Sequence, residues 1–338
     1  MKKIAKMLVA AGLLSMTGAA VADKPITLRV HHFLAANSNA QENIIEPGCN
    51  KIQEESQNRL QCQIYPAAQF FDQVRDGLVD IVWTIPTYAS GRFTKTEAFE
   101  LPWITQDAES GSKAFWEYVT EYATDEYKGV KPLFVHVHDG TLFHMKDKEV
   151  QTMEDLKGLK IRVPTRINSR VVELLGAVPV QMPHPQIPES LAKGVIDGAT
   201  SPWEGTLAVK LNEVAKLHID VPEGKGRLSN TTFLFGMNPQ KYESLPADLK
   251  AVIDANSGLE TSAWAGREGF DNQRERFMDD ARQYEGKFIT ISPEEYERWV
   301  QATGPIVDEW IKDVNAKGGN GEELYQKVIE LTTKYQAQ

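Results

Sequence analysis

Phe71-Asp72-Gln73-Val74-Arg75-Asp76-Gly77-Leu78-Val79-Asp80-Ile81-Val82-Trp83 and Pro188-Glu189-Ser190-Leu191-Ala192-Lys193-Gly194-Val195-Ile196-Asp197-Gly198-Ala199 follow one plan. Each is a short helical stretch closed by glycine, then two apolar residues and an aspartate in a buried strand. The glycines suit the left-handed position that ends a helix. A strand stopped by proline precedes each copy: Arg59 to Tyr65 before Pro66, and Val178 to Met182 before Pro183. Proline and glycine are eleven residues apart in both, Pro66 to Gly77 and Pro183 to Gly194. Such strand–helix–strand units build parallel sheets with buried strands. Two copies predict an α/β protein of two similar lobes, each with its own sheet. The plainer alternative is that such units share punctuation by chance.

Outward from these copies, Ile26 to Phe33 reads as an opening strand, and Ser38 or Asn39 as the cap of a helix running to about Glu55. Thr152 and Asp155 have the spacing of a capping box. Leu159 to Val163 is a strand carrying Arg162 and stopped by Pro164; a helix from about Asn168 to Leu175 follows, closed by Gly176. Apolar residues recur at helical spacing from Leu249 to Tyr284, with Ser244 as cap and Pro246 in the first turn. A helix of that length outruns one domain and is expected to cross both lobes, with Gly266 and Gly269 permitting a bend or close packing. Two shorter helices with a kink are the alternative. A final helical pair, Pro293 to Val314 and Glu322 to Tyr335, is joined through Gly318-Gly319-Asn320-Gly321. The expected division is 23–139 with 228–268 for the first lobe, and 140–227 with 269–338 for the second.

Residues 1–22 read as a secretory signal: Lys2, Lys3 and Lys6, an apolar run from Met7 to Leu14, then Ala20-Val21-Ala22 as a small-residue cleavage site. That run is shorter than the roughly 20 residues a membrane span needs. The mature chain is expected to begin at Asp23, in the periplasm. The formal net charge is −10, and removing three lysines and no acids makes it more negative. An acidic chain lacks the electrostatic footprint of a nucleic-acid binder. An anionic ligand would depend on a few local cations. Export permits a disulfide between Cys49, in the first helix, and Cys62, in the strand after it, against two free buried thiols. One cysteine pair does not point to a zinc site.

Arg162 lies at the carboxyl end of a buried strand, where ligands bind in open α/β sheets. Its guanidinium matches a carboxylate through two parallel hydrogen bonds; the bland reading is a surface ion pair. Arg166, one turn on, would reinforce an anion site or be solvated at the helix start. Trp83 and Trp203 each follow an aspartate-bearing strand and would reach the gap between lobes, enclosing the apolar part of a ligand. His184 would line the same gap. His136 and His138 alternate on one strand as metal ligands can, but neither a His-Glu-x-x-His nor a Gly-x-Ser-x-Gly motif is present. No cofactor or metal is called for.

Leu156-Lys157-Gly158-Leu159-Lys160-Ile161-Arg162-Val163-Pro164, Leu175-Gly176-Ala177, Met182-Pro183, Leu191 to Gly198 and Pro202 resemble the extracytoplasmic solute receptors of TRAP transporters. Ala98-Phe99-Glu100-Leu101-Pro102-Trp103 and Leu245-Pro246 extend the likeness over essentially the whole mature chain. The resemblance implies a two-lobe, type II-like periplasmic binding protein that captures a small organic-acid anion. It also implies small and large membrane subunits as partners, and import driven by an ion gradient. It implies that Arg162 pairs with the substrate carboxylate, and that Arg166, Phe33, Trp83, Thr84, Ile85, His184 and Ser201 lie beside the ligand. Two departures stand out. Phe70-Phe71 follows Tyr65-Pro66-Ala67-Ala68-Gln69 at once, where relatives carry a glycine-rich turn. The second arginine of sialic-acid receptors is absent from Gly140 to Met145. With Trp83, Trp203 and Phe33, this points to a less polar carboxylate, aromatic or small and hydroxylated. The alternatives are a periplasmic enzyme working through His136, His138 or His184, and a sensor-input protein using the same cleft.

Overall fold

Gly77 and Gly194 close their helices with φ of 73° and 70°, and both ends are Schellman motifs. Leu78 N–H reaches back to Gln73 O and Gly77 N–H to Val74 O; Val195 N–H reaches Ser190 O and Gly194 N–H reaches Leu191 O. The first apolar residue of each copy therefore belongs to a helix cap. Leu78 and Val195 are 64% and 50% exposed, and each strand begins three residues later than expected, at Ile81 and Gly198. The two aspartates do the same work. Asp80 accepts from Arg29 N–H at 2.8 Å and Asp197 from Lys160 N–H at 2.8 Å. In each lobe the aspartate clasps the neighbouring strand twice, because its own N–H donates to the carbonyl of that same residue, Asp80 to Arg29 O at 3.1 Å and Asp197 to Lys160 O at 2.8 Å.

The computed structural model describes residues 24–67 and 71–336. The expected signal peptide and the junction at Ala68-Gln69-Phe70 lie outside the described residues. Along the chain the strands are β1 (Ile26–His32), β2 (Leu60–Tyr65), β3 (Ile81–Thr84), β4 (Lys131–His136), β5 (Leu142–Met145), β6 (Lys160–Val163), β7 (Val178–Gln181), β8 (Gly198–Ser201), β9 (Leu217–Asp220), β10 (Phe233–Met237) and β11 (Lys287–Thr290). One sheet has the order β2-β1-β3-β10-β4, the other β11-β9-β5-β8-β6-β7. Read backwards from β7, the second repeats the first. Three parallel strands, β2-β1-β3 or β7-β6-β8, are followed by two antiparallel pairings, β3-β10-β4 or β8-β5-β9. β11 adds a parallel edge to β9.

The expected helix from Ser244 to Tyr284 is broken. Pro246 is the N-cap of Ala247–Ala255 and not part of its first turn. Gly258, at φ 96°, then donates its N–H to Leu133 O at 2.7 Å and restarts the helix as Leu259–Gly269. A 3-10 turn at Asp271–Gln273 joins this to Arg274–Gln283. The run from 259 to 283 does cross the molecule: its first half packs on helix Ala108–Tyr122 and β4, its second on helix Trp203–Ala208. Gly266 serves close packing, since a Cβ there would stand 2.3 Å from Ala108 O. Pro305 divides the next expected helix into Pro293–Thr303 and Pro305–Ala316. The last helix, Gly321–Gln336, was expected to go with the second lobe, yet it packs on helix Ala108–Tyr122 beside the first sheet. Lys334 and the Tyr335 hydroxyl hold Glu117 there. The capping box forms as expected, with Asp155 accepting from Thr152 N–H at 2.9 Å. Cys49, in helix Glu46–Glu55, is disulfide-bonded to Cys62 in β2.

Candidate functional site

β6 runs between β7 and β8, so both of its backbone edges are occupied. Strand alternation sends Ile161 and Val163 into the apolar core and Arg162 to the opposite face. There Arg162, 2% exposed, donates through Nε to Met182 O at 3.0 Å and through Nη1 to Thr200 O at 3.1 Å. It forms no ion pair among the described residues. Burial lowers its pKa against a smaller raising effect from Tyr88, and a guanidinium stays charged regardless. A buried cation surrounded by carbonyls and the Tyr88 hydroxyl, with no acid to pair it, is a strong demand for an anion.

The guanidinium lines a small cavity of about 40 Å³ between the two sheets. Beside Arg162, His184 Nε2 lies 3.3 Å from Ser201 Oγ. Burial, and then the Arg162 charge, push the pKa of His184 down to about 3, so it is neutral. Gly205 makes this corner possible: a Cβ there would stand 2.3 Å from Ser201 Oγ and 2.6 Å from His184 Nε2.

The first lobe supplies an aromatic wall. Phe33, just after β1, and Phe233 on β10 flank Trp83 on the intervening β3. The rings stack at centroid distances of 5.0 and 4.9 Å with interplanar angles of 8° and 12°. His136 on β4 continues the row, 4.7 Å from Phe233, and its Nε2 accepts from Trp83 Nε1 at 2.9 Å. With both faces of Trp83 covered, the row offers its edges to the cavity, which suits a T-shaped contact with a ligand ring.

The lining also carries polar groups besides the Arg162 corner. His138 Nδ1 accepts from Gly140 N–H at 2.9 Å, and burial holds this imidazole well below its usual pKa. Its proton is therefore on Nε2, which is buried and has no partner among the described residues. Glu204 also lines the cavity. Burial first, then the charge of Asp139, push its pKa up to about 8, so it is predominantly protonated at neutral pH. Asp139 is itself paired with Arg227.

Of the residues expected at the site, Arg162, His184, Ser201, Trp83, Phe33 and Ile85 line this one cavity. Thr84 lies in an adjoining outer pocket. Two expectations are corrected. Arg166 points away: it pairs with buried Glu97 and with Asp313, tying the start of helix Arg166–Leu174 to the first lobe and to helix Pro305–Ala316. Trp203 is buried with Leu142, Phe277 and Ala281 beneath helix Arg274–Gln283. The copies explain why. Counting from Asp80 and Asp197, the partner of Trp83 is Thr200, which does line the cavity; Trp203 falls three residues further on. His136 and His138 are buried singly, and no cluster of three potential metal ligands occurs among the described residues. Tyr88, Glu204 and Phe233 went unread in the sequence, although Phe233 and Phe235, two apart on β10, mark one apolar face of that strand.

Residues 30–313 match the family model for DctP, bacterial extracellular solute-binding protein family 7. A TRAP solute-binding protein from Rhodoferax ferrireducens, solved with copurified benzoate, is 39% identical and superposes with a TM-score of 0.90, covering 92% of this chain and 99% of that one. A marine-metagenome TRAP solute-binding protein specific for aromatic acids, solved with 3-hydroxybenzoate, is 38% identical at a TM-score of 0.89 over the same shares. The C4-dicarboxylate-binding periplasmic protein DctP of Rhodobacter capsulatus is 24% identical over 309 residues, 87% of this chain and 89% of that protein. The fold, the buried arginine at a strand end and these matches together place this chain in bacterial extracellular solute-binding protein family 7, among the solute receptors of TRAP transporters.

Proposed function

We propose that this receptor captures an aromatic monocarboxylate between its lobes and delivers it to TRAP membrane subunits. The observation that carries the reading is the Arg162 guanidinium, buried without an acid, in a cavity walled by the Phe33–Trp83–Phe233 row. The carboxylate would take the free N–H groups of Arg162, and the ring would lie against the edges of that row. Solved relatives with benzoate and 3-hydroxybenzoate support the class. A C4-dicarboxylate fits less well. Arg162 is the one Lys or Arg lining this cavity among the described residues, so a second carboxylate would lack a counterion.

Binding without turnover is part of the proposal. His184 approaches Ser201 as a catalytic base would, but its Nδ1 has no partner to orient it among the described residues, and a pKa of about 3 makes it a poor base at neutral pH. We further propose export through residues 1–22 with cleavage after Ala22, and periplasmic residence. The lobes would be divided as expected from sequence, except that 321–336 joins the first. Calorimetric titration with benzoate, 3-hydroxybenzoate and succinate tests the reading, using protein freed of copurified acid by unfolding and refolding. Micromolar or tighter binding of an aromatic acid is expected, with succinate much weaker. A preference for succinate would reject the assignment.

A further inference from the structure

We propose that His138 and Glu204 form a second recognition pole that takes a ring hydroxyl, so that the receptor prefers hydroxylated aromatic acids to their unsubstituted parents. This rests on the aromatic-acid reading and deepens it. The first support is the orphaned donor. Gly140 N–H fixes the proton of His138 on Nε2, and that buried N–H has no partner among the described residues although the residue lines the cavity. A buried donor is normally satisfied, so a ligand acceptor is the natural partner. The second support is Glu204. It shares the cavity with Arg162 but forms no ion pair with it, and no hydrogen bond to its carboxyl is found among the described residues. Held protonated by burial and by Asp139, it both donates and accepts. A hydroxyl can accept from His138 while exchanging a hydrogen bond with a neutral carboxyl, as donor or as acceptor. Thr141, nearby in the lining, is already engaged with Ser229.

The test is calorimetric titration of the full chain, stripped of copurified acid, with benzoate, 3-hydroxybenzoate and 4-hydroxybenzoate. One hydroxy acid is expected to bind about tenfold or more tighter than benzoate, because the parent leaves buried polar groups unpaired. His138→Asn keeps an acceptor for Gly140 N–H and withdraws the donor from the position that Nε2 occupies, since the shorter amide does not reach it. Glu204→Leu removes the other pole, while Glu204→Gln restores a donor there. The ratio of the two dissociation constants should fall toward one in His138→Asn and Glu204→Leu, and survive in Glu204→Gln. Should His138→Asn fail to fold, the Leu–Gln pair at 204 decides alone. Equal affinity of wild type for all three acids overturns this pole while leaving the aromatic-acid reading intact, as does a hydroxyl preference that persists in Glu204→Leu. Absence of binding by any of the three overturns both.

Discussion

Arg162→Lys is the sharpest perturbation of the proposed site, and its cost follows from counting donors. A guanidinium has five N–H groups. Two are committed, one to Met182 O and one to Thr200 O, which leaves three for the carboxylate and Tyr88. A lysine ammonium has three. If two keep the same carbonyls satisfied, one remains, and the two-pronged grip on the ligand becomes a single bond. A hydrogen bond to a charged group is worth about 1.5–3 kcal/mol, so the dissociation constant should rise roughly 10- to 150-fold. Arg162→Met removes the cation and leaves the carboxylate buried without a counterion, at a cost of about 3–5 kcal/mol. Calorimetry with the best aromatic acid measures both. Because the site is buried, affinity should change little between low and physiological salt. A lysine variant within threefold of wild type would refute the claim that this guanidinium holds the carboxylate.

Three further outcomes are expected. Gly205→Ala should force His184 or the helix behind it to shift, since its Cβ would stand 2.6 Å from the imidazole; a loss of about 1–3 kcal/mol in stability, accompanied by weaker ligand binding, is readable in melts with and without ligand. Glu204 has a folded pKa of about 8, above its unfolded value. It therefore contributes stability that is full below the unfolded pKa and lost as pH rises through about 8, at up to about 1.4 kcal/mol per pH unit. The charge that acts on it is that of Asp139, paired with Arg227, and the cavity it lines also holds Arg162, His138 and His184. Glu204→Gln should accordingly gain on wild type from pH 6 to 8.5 in ligand-free thermal melts, and parallel curves would contradict the buried protonated state. Replacing Cys49 and Cys62 together by serine should cost about 2–4 kcal/mol by releasing the unfolded chain; urea titrations of the two forms give the difference.

Much of this protein is legible in its chain because the signals are local. Gly77 and Gly194 end helices wherever they stand, a proline stops a strand, and a spacing repeated twice makes two sheets of one plan. Arg162 was legible for the same reason: period-two alternation between Ile161 and Val163, which belong to the core, puts it on the other face at a strand end. What the chain alone could not settle depends on registers and on partners distant in sequence. Leu78 and Val195 read as strand residues until two Schellman caps claim them. Trp83 and Trp203 look alike in sequence, but three residues of offset put one ring in the cavity wall and the other beneath helix Arg274–Gln283. Arg166 finds Glu97 and Asp313, 69 and 147 residues away, and so is lost to the ligand. The aromatic row and the polar pole of His138 and Glu204 exist only because pairing of β1, β3, β10 and β4, and the approach of the second lobe, bring together side chains that no local pattern connects. Burial then fixes their charge states, and burial is a property of the assembled fold.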